Sequence, residues 1–299
     1  MRRRPVPGET AAPRVQKLLR LGGAEYLRPA ARERGLPGGV AIRIRAVLEY
    51  DGTAYRGWQR QPDAPSVQAA CEAALSRVLG VETGIVAAGR TDRGVHARGQ
   101  VVHFEHAGRL SARELRRAWN AGLPADVWVR RLEQAEPAFH ARFDATARTY
   151  RYFVAHGPRA LSPFVRRYAW PLRRPPDWDR VREATERIVG RHDFRRFAKG
   201  DPAGGGHTLC EVRSARWARS SHGRALEITA DRFLRHMVRA LVGTVVAVGR
   251  GRIPLEAVEG ALQPGGDRAR AGYAPPEGLF LWHVDYSNED GARGYENAP

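Results

Sequence analysis

Across 299 residues the chain sets 50 Lys and Arg against 32 Asp and Glu, a formal net charge of +18 with a pI near 11.1. Such a surplus points to an anionic partner, most simply nucleic acid held through its phosphates. Cys71 and Cys210 are the only cysteines and form no Cys-x-x-Cys pair, which argues against a disulfide scaffold, a structural zinc site or an iron–sulfur cluster and suits a reducing, cytoplasmic setting. No stretch approaches the roughly 18 consecutive apolar residues that a membrane span requires.

Residues 1–40 carry nine Lys and Arg and three Glu in a Pro/Gly/Arg mix that cannot bury a core, and read as a disordered basic extension, with an arm touching RNA, a weak organelle-targeting sequence and a start placed too early as the open alternatives for its role. Arg43–Glu49 alternates as a first strand and ends in the turn Asp51-Gly52. Ser66 is a helix N-cap, followed at helical spacing by Val67, Ala70, Cys71, Ala74, Leu75, Val78 and Leu79, which places Cys71 in a core. Two apolar runs, Ile85–Ala88 and Gln100–Phe104, read as strands flanking the loop Gly89–Ala97. Ser111-x-x-Glu114 is a capping box that opens a helix through Trp119, stopped by Gly122 and Pro124. Val127–Leu132 closes a first α+β domain over 41–136, with a second expected over 137–287 and a disordered tail over 288–299.

In the second half, Arg148–Ala155 is a strand whose period of two puts Tyr150, Tyr152 and Val154 on one face. Asp177 caps a helix carrying Trp178, Val181, Thr185, Ile188 and Val189. The basic, glycine-containing segment Lys199–His207 reads as a mobile loop. Val212–Arg219 and Arg224–Ala230 form a hairpin about Ser220–Gly223. Phe233–Val248 reads as one long buried helix, followed by a short helix after Pro254 and a strand Leu279–Tyr286.

The loop Gly89-Arg90-Thr91-Asp92-Arg93-Gly94-Val95-His96-Ala97 is the most informative stretch. A lone Asp among arginines stays ionised, which suits nucleophilic or electrostatic work better than proton donation, and the glycines permit close approach of a partner. The wording closely resembles the signature of the TruA-type tRNA pseudouridine synthases. Further blocks follow in family order: Leu48–Thr53, Gly57–Gln61, Ser66–Gln68, Phe139–Phe143, Ala147–Tyr152, His192–Phe194, Phe233–Arg239 and Glu277–Leu281. The resemblance covers about Ile42 to Tyr286.

It implies two ferredoxin-like, RRM-like halves whose antiparallel sheets meet at a central basic cleft. It implies a homodimer that isomerises uridine to pseudouridine at positions 38, 39 and 40 of tRNA, with Asp92 as nucleophile. Tyr150 aligns with the active-site tyrosine that lies against the flipped base, and Arg235 with the basic residue that pairs with the nucleophile. Arg90, Arg93, His96, Arg60 and Arg148 are candidate RNA contacts, His96 with an alternative role in bracing the loop. Asp231 stands where the family pattern usually has Asn. The implied reaction breaks and remakes a glycosidic bond without redox or group donors, so neither metal nor organic cofactor is expected; attack at carbon 6 of uracil and at carbon 1′ of ribose are both compatible with the residues.

Two other readings compete. His103-Phe104-Glu105 mimics the His-x-Glu of zinc nucleobase deaminases, but that class needs a Cys-x-x-Cys pair. A non-catalytic RRM-like RNA-binding protein would use the aromatics of Arg148–Ala155 for stacking, but leaves the Asp92 loop without a purpose.

Overall fold

A computed structural model describes residues 41–200, 207–263 and 272–287, together with 20–21 and 24–25. Of the expected extension over 1–40, strands β1 (Arg20–Leu21) and β2 (Ala24–Glu25) pair antiparallel within a small unit of their own. The rest of that extension, the tail 288–299 and residues 201–206 of the Lys199–His207 segment lie outside the described residues.

One ten-stranded sheet organises the second unit. In chain order its elements are β3 (Ile42–Tyr50), α1 (Val67–Leu79), β4 (Val86–Ala87), β5 (His96–His106), α2 (Ala112–Gly122) and β6 (Val127–Gln134). Then come β7 (Ala145–His156), α3 (Pro163–Arg166), β8 (Trp170–Leu172), α4 (Trp178–Glu186), β9 (Gly190–Asp193), β10 (Leu209–Ser220), β11 (Gly223–Ala230), α5 (Met237–Gly249), α6 (Glu256–Leu262) and β12 (Leu279–Tyr286). The strand order is β6-β3-β5-β12-β7-β11-β10-β9, with β4 beside β5 and β8 beside β7.

The pairing is antiparallel except for β5–β12 and β7–β8. The last strand therefore joins the two halves into one sheet, the expected α+β architecture. Its register sets Phe280 opposite His96 and Leu281 opposite Ala97. Gly99 permits this approach, because a Cβ there would fall 2.4 Å from the Trp282 carbonyl oxygen.

Local signals explain the helices that cover the sheet. Ser66 accepts the Ala69 amide to start α1, and Gly80 ends it in the left-handed region at φ 68. Ser111 and Glu114 complete the capping box of α2, and Asp177 accepts the amides of Asp179 and Arg180 at the start of α4. Each such cap contributes about 1 kcal/mol. Leu75, Leu115 and Trp119 pack with Leu48, Val102 and Phe104 in one core; Val181, Leu241 and Val245 pack with Tyr152, Leu226 and Ile228 in the other. Burying side chains of this size stabilises by roughly 1.5–3 kcal/mol each. Cys71 and Cys210 lie in separate cores, and burial raises both thiols, that of Cys210 to about 12.

Two expected helices are shorter than their apolar spacing suggested. Helix α4 ends at Glu186, so Ile188 is buried from a turn while Val189 is exposed. The long helix expected from Phe233 starts only at Met237. His236 has φ 64, the one positive φ outside glycine among the described residues, and a left-handed residue cannot continue a right-handed helix. Residues 233–236 instead form a turn fastened by Met237 N–H to the Leu234 carbonyl and by Lys199 N–H to the Arg235 carbonyl.

Candidate active site

The Asp92 loop is held from below by the segments after β3. Trp58 N–H donates to the Thr91 carbonyl at 3.1 Å, and Gly94 N–H donates to the Tyr55 carbonyl at 3.4 Å. The Tyr50 and Thr91 hydroxyls lie 2.8 Å apart, and Gln100 Nε2 donates to the Gly89 carbonyl at 2.7 Å. Gly57 sits at φ 108 where a Cβ would come 2.8 Å from the Thr91 carbonyl oxygen, so the loop rests directly on glycine backbone. Asp92 projects from this platform with its side chain 24% exposed.

Two side chains from the start of α5 meet its carboxylate. His236 Nε2 lies 3.4 Å from Oδ1, and Arg239 Nη1 lies 3.6 Å from Oδ2. Arg239 is fixed by donating Nε–H to the Ala274 carbonyl at 2.8 Å and by the ring of Tyr273. The expected pairing of Arg235 with Asp92 is therefore corrected. The turn at His236 leaves Arg235 exposed and brings Arg239 onto the acid one helical turn later.

Tyr150 reaches the same place from β7. Its ring stands edge-on to Phe233 at 5.1 Å, and its hydroxyl has no hydrogen-bond partner among the described residues. Burial, with the Asp92 charge nearby, pushes its phenol above the ordinary tyrosine range, so it is protonated and able to donate at neutral pH. Its neighbour Tyr152 is fully buried and spends its hydroxyl on the Pro275 carbonyl at 2.8 Å.

The candidate RNA contacts divide. Arg90 and Arg93 are exposed on the loop, without an ion pair among the described residues. Arg60 is half exposed but pairs with buried Glu72 at 2.5 Å. Arg148 is not a surface contact: its guanidinium donates to the carbonyls of Ala88, Arg142, Ala145 and Asp231, tying the stretch before its own strand to the segments at Ala88 and Asp231.

His96 is not one either. It is fully buried, stacked on Phe280 at 4.6 Å, and its Nδ1 accepts the Gly52 N–H at 3.1 Å. Burial lowers its pKa from 6.5, although Asp51 pulls the other way.

Sequence reasoning also missed Asp51 as more than a turn residue. Its Oδ1 accepts from Thr53, and its Oδ2 accepts from Arg167 Nε at 2.8 Å and the Tyr168 hydroxyl at 2.9 Å, tying the turn after β3 to the segment after α3. Burial would raise its pKa, but the hydrogen bonds from Thr53 and Tyr168 and the charge of His96 win and hold it at about 2. Asp231 accepts the amides of Glu211 and Arg232 through Oδ1, an acceptor role that an Asn oxygen fills equally well. The deaminase-like His103 and Glu105 are separately engaged, His103 Nδ1 by the Ala141 amide and Glu105 by Arg43.

A carboxylate held by an arginine beside a protonated tyrosine, on a glycine-supported loop flanked by exposed arginines, is an arrangement whose charge and chemistry suit an anionic substrate. A family model described as tRNA pseudouridine synthase matches residues 46–144 and 184–287. Among similar curated proteins, the tRNA pseudouridine synthase A of Chlorobium phaeovibrioides is 42% identical over 244 residues, covering 81% of this chain and 99% of that one. Those of Moorella thermoacetica and Pseudomonas aeruginosa are 42% and 40% identical, covering 81% and 87% of this chain and 99% and 90% of their own lengths. The chain belongs to the tRNA pseudouridine synthase family.

Proposed function

We propose that the chain converts uridine to pseudouridine at positions 38, 39 and 40 of the tRNA anticodon arm, with Asp92 as nucleophile. Family membership makes it an isomerase acting on tRNA. The observation that carries the finer reading is the convergence of Arg239 and Tyr150 on Asp92, the only acid of its loop.

The reaction breaks the bond from ribose carbon 1′ to uracil nitrogen 1, turns the ring, and forms a bond from carbon 1′ to carbon 5. Nitrogen 1 gains a proton and carbon 5 loses one, so the balance needs no external donor or cofactor. The base must leave its stack to reach a loop acid, and unpaired or weakly paired anticodon-arm uridines cost least to flip. Arg239 holds the carboxylate in place, the Tyr150 ring offers a face for the flipped uracil, and its protonated hydroxyl is the group in this reading that helps move a proton. Arg90 and Arg93 supply phosphate contacts beside the acid.

The homodimer and the cytoplasmic setting belong to this proposal. Among the described residues no helix is long and apolar enough to cross a membrane. The test is position-resolved mapping of pseudouridine in tRNA transcripts bearing uridine at 38, 39 or 40. Pseudouridine at those positions and not elsewhere is expected; modification confined to another arm would overturn the assignment.

A further inference from the structure

Resting on the reading of Asp92 as nucleophile, we infer that His236 is a positioning residue that donates Nε2–H to Oδ1 of Asp92 as a neutral imidazole. Three observations carry it. Its Nε2 stands 3.4 Å from Oδ1 while Arg239 takes the other oxygen, so each carboxylate oxygen faces a different donor. The separation is slightly long for a full hydrogen bond, as is common before substrate closes a site. His236 also holds φ 64, backbone strain of the kind that persists where surrounding structure enforces it and that gathers at functional sites. Its Nδ1 is buried with no hydrogen-bond partner, so the ring is not there to bridge two structural groups.

The neutral form matters to the chemistry. Arg239 already neutralises one side of the carboxylate, and a second full positive charge would quench the nucleophile. The groups facing His236 are Asp92 from its loop, Arg239 from α5, Arg235 from the preceding turn, Lys199 from the segment before it, and the ring of Tyr273 at 5.1 Å. Burial first, and then the three cations, lower the pKa of His236 below 6.5 against the opposing pull of Asp92. At neutral pH it therefore orients Asp92 without adding charge. As pH falls it gains a proton and the rate should fall with it, giving an acid limb whose midpoint lies below 6.5.

The experiment compares single-turnover rates of the full chain and two variants, at saturating concentrations of one tRNA transcript, from about pH 5 to 8. His236→Asn keeps a residue that tolerates left-handed backbone but has an amide too short to reach Oδ1. His236→Gln places an uncharged donor at about the imidazole's reach. We expect His236→Asn to lose about 10- to 100-fold in rate with tRNA affinity unchanged within about threefold. We expect His236→Gln to recover most of that loss and to lack the acid limb. A wild-type rate for His236→Asn would overturn the inference. So would a loss that Gln does not recover while the acid limb persists, since that marks a purely structural histidine. Either outcome leaves the Asp92 reading standing as long as the wild-type chain makes pseudouridine; a wild-type chain that makes none removes that reading itself.

Discussion

Arg239 Nη1 and Asp92 Oδ2 lie 3.6 Å apart across the join between the Asp92 loop and the first turn of α5. Both side chains are largely shielded, Arg239 at 14% exposed and Asp92 at 24%, so each partner relies on the other for its charge balance. His236 and the Tyr150 phenol lie close to the same carboxylate, which makes this contact the centre of the site.

Removing Arg239 should therefore be far more harmful than removing Arg235. Arg239→Ala leaves a shielded carboxylate without its guanidinium and frees the Ala274 carbonyl, and turnover should fall about 10²-fold or more. Arg235→Ala removes an exposed side chain and should act mainly on tRNA affinity. Single-turnover rates of the two variants, with folding checked by thermal melts, decide the ranking. Equal losses of rate would contradict it.

The two tyrosines of β7 should separate in the same assay. Tyr150→Phe keeps the ring against Phe233 but removes the hydroxyl beside Asp92, so tRNA binding should survive while turnover falls severely. Tyr152→Phe loses one hydrogen bond to the Pro275 carbonyl, costing about 1 kcal/mol of stability with little change in rate. Denaturant titration and single-turnover kinetics on both variants check the split.

Much of this was legible in the sequence, and what was not has a common cause. The caps at Ser66, Ser111 and Asp177 and the strand Leu279–Tyr286 depend on residues within a few positions, and the structure has them as read. The start of α5 does not. Phe233, Leu234 and Val238 fit helical spacing, and on an uninterrupted helix Arg235 and Arg239, four residues apart, would share one face. Only the left-handed turn at His236, imposed by tertiary contacts, separates them. Arg148 reads as an RNA contact for a similar reason, and for His96 the sequence leaves RNA contact and bracing side by side, of which the structure shows the bracing role. The carbonyls of Ala88 and Asp231 and the ring of Phe280 come from distant segments, and no local pattern announces them. The Asp51–Arg167 pair spans 116 positions.

Asp51 itself carries a pH prediction. The Asp51 pKa is depressed from 3.8 to about 2 in the folded chain, so the stability it contributes is present above the unfolded value and is lost as pH falls toward the folded one. With solvent screening of a partly exposed group, the contribution at neutral pH is about 1–2 kcal/mol. Asp51→Asn should be destabilised by that amount at neutral pH, and the gap from wild type should narrow as pH drops from about 5 to about 3. Urea unfolding of both chains across that range measures it; a gap that stays constant with pH would remove the ionic part of the account.

Arg90 and Arg93 should reveal themselves through salt. Each is exposed beside Asp92 and free to meet a phosphate, so each alanine variant should weaken tRNA binding broadly and lower the slope of log affinity against log salt by about 1 or less. Arg148→Ala should instead lower stability by freeing four carbonyls while leaving the salt slope unchanged. Filter-binding titrations at several salt concentrations distinguish the two effects.

The most direct test of the account is pseudouridine formation by Asp92→Asn on a tRNA transcript that the wild-type chain modifies. The substitution keeps the side chain's shape and removes its charge and nearly all of its nucleophilicity, while phosphate contacts that dominate binding remain. No pseudouridine should form within the detection limit, and tRNA affinity should stay within several-fold of wild type. Turnover by a variant sample whose mass spectrum excludes deamidation of the introduced amide back to the acid would contradict the assignment of Asp92 as the nucleophile.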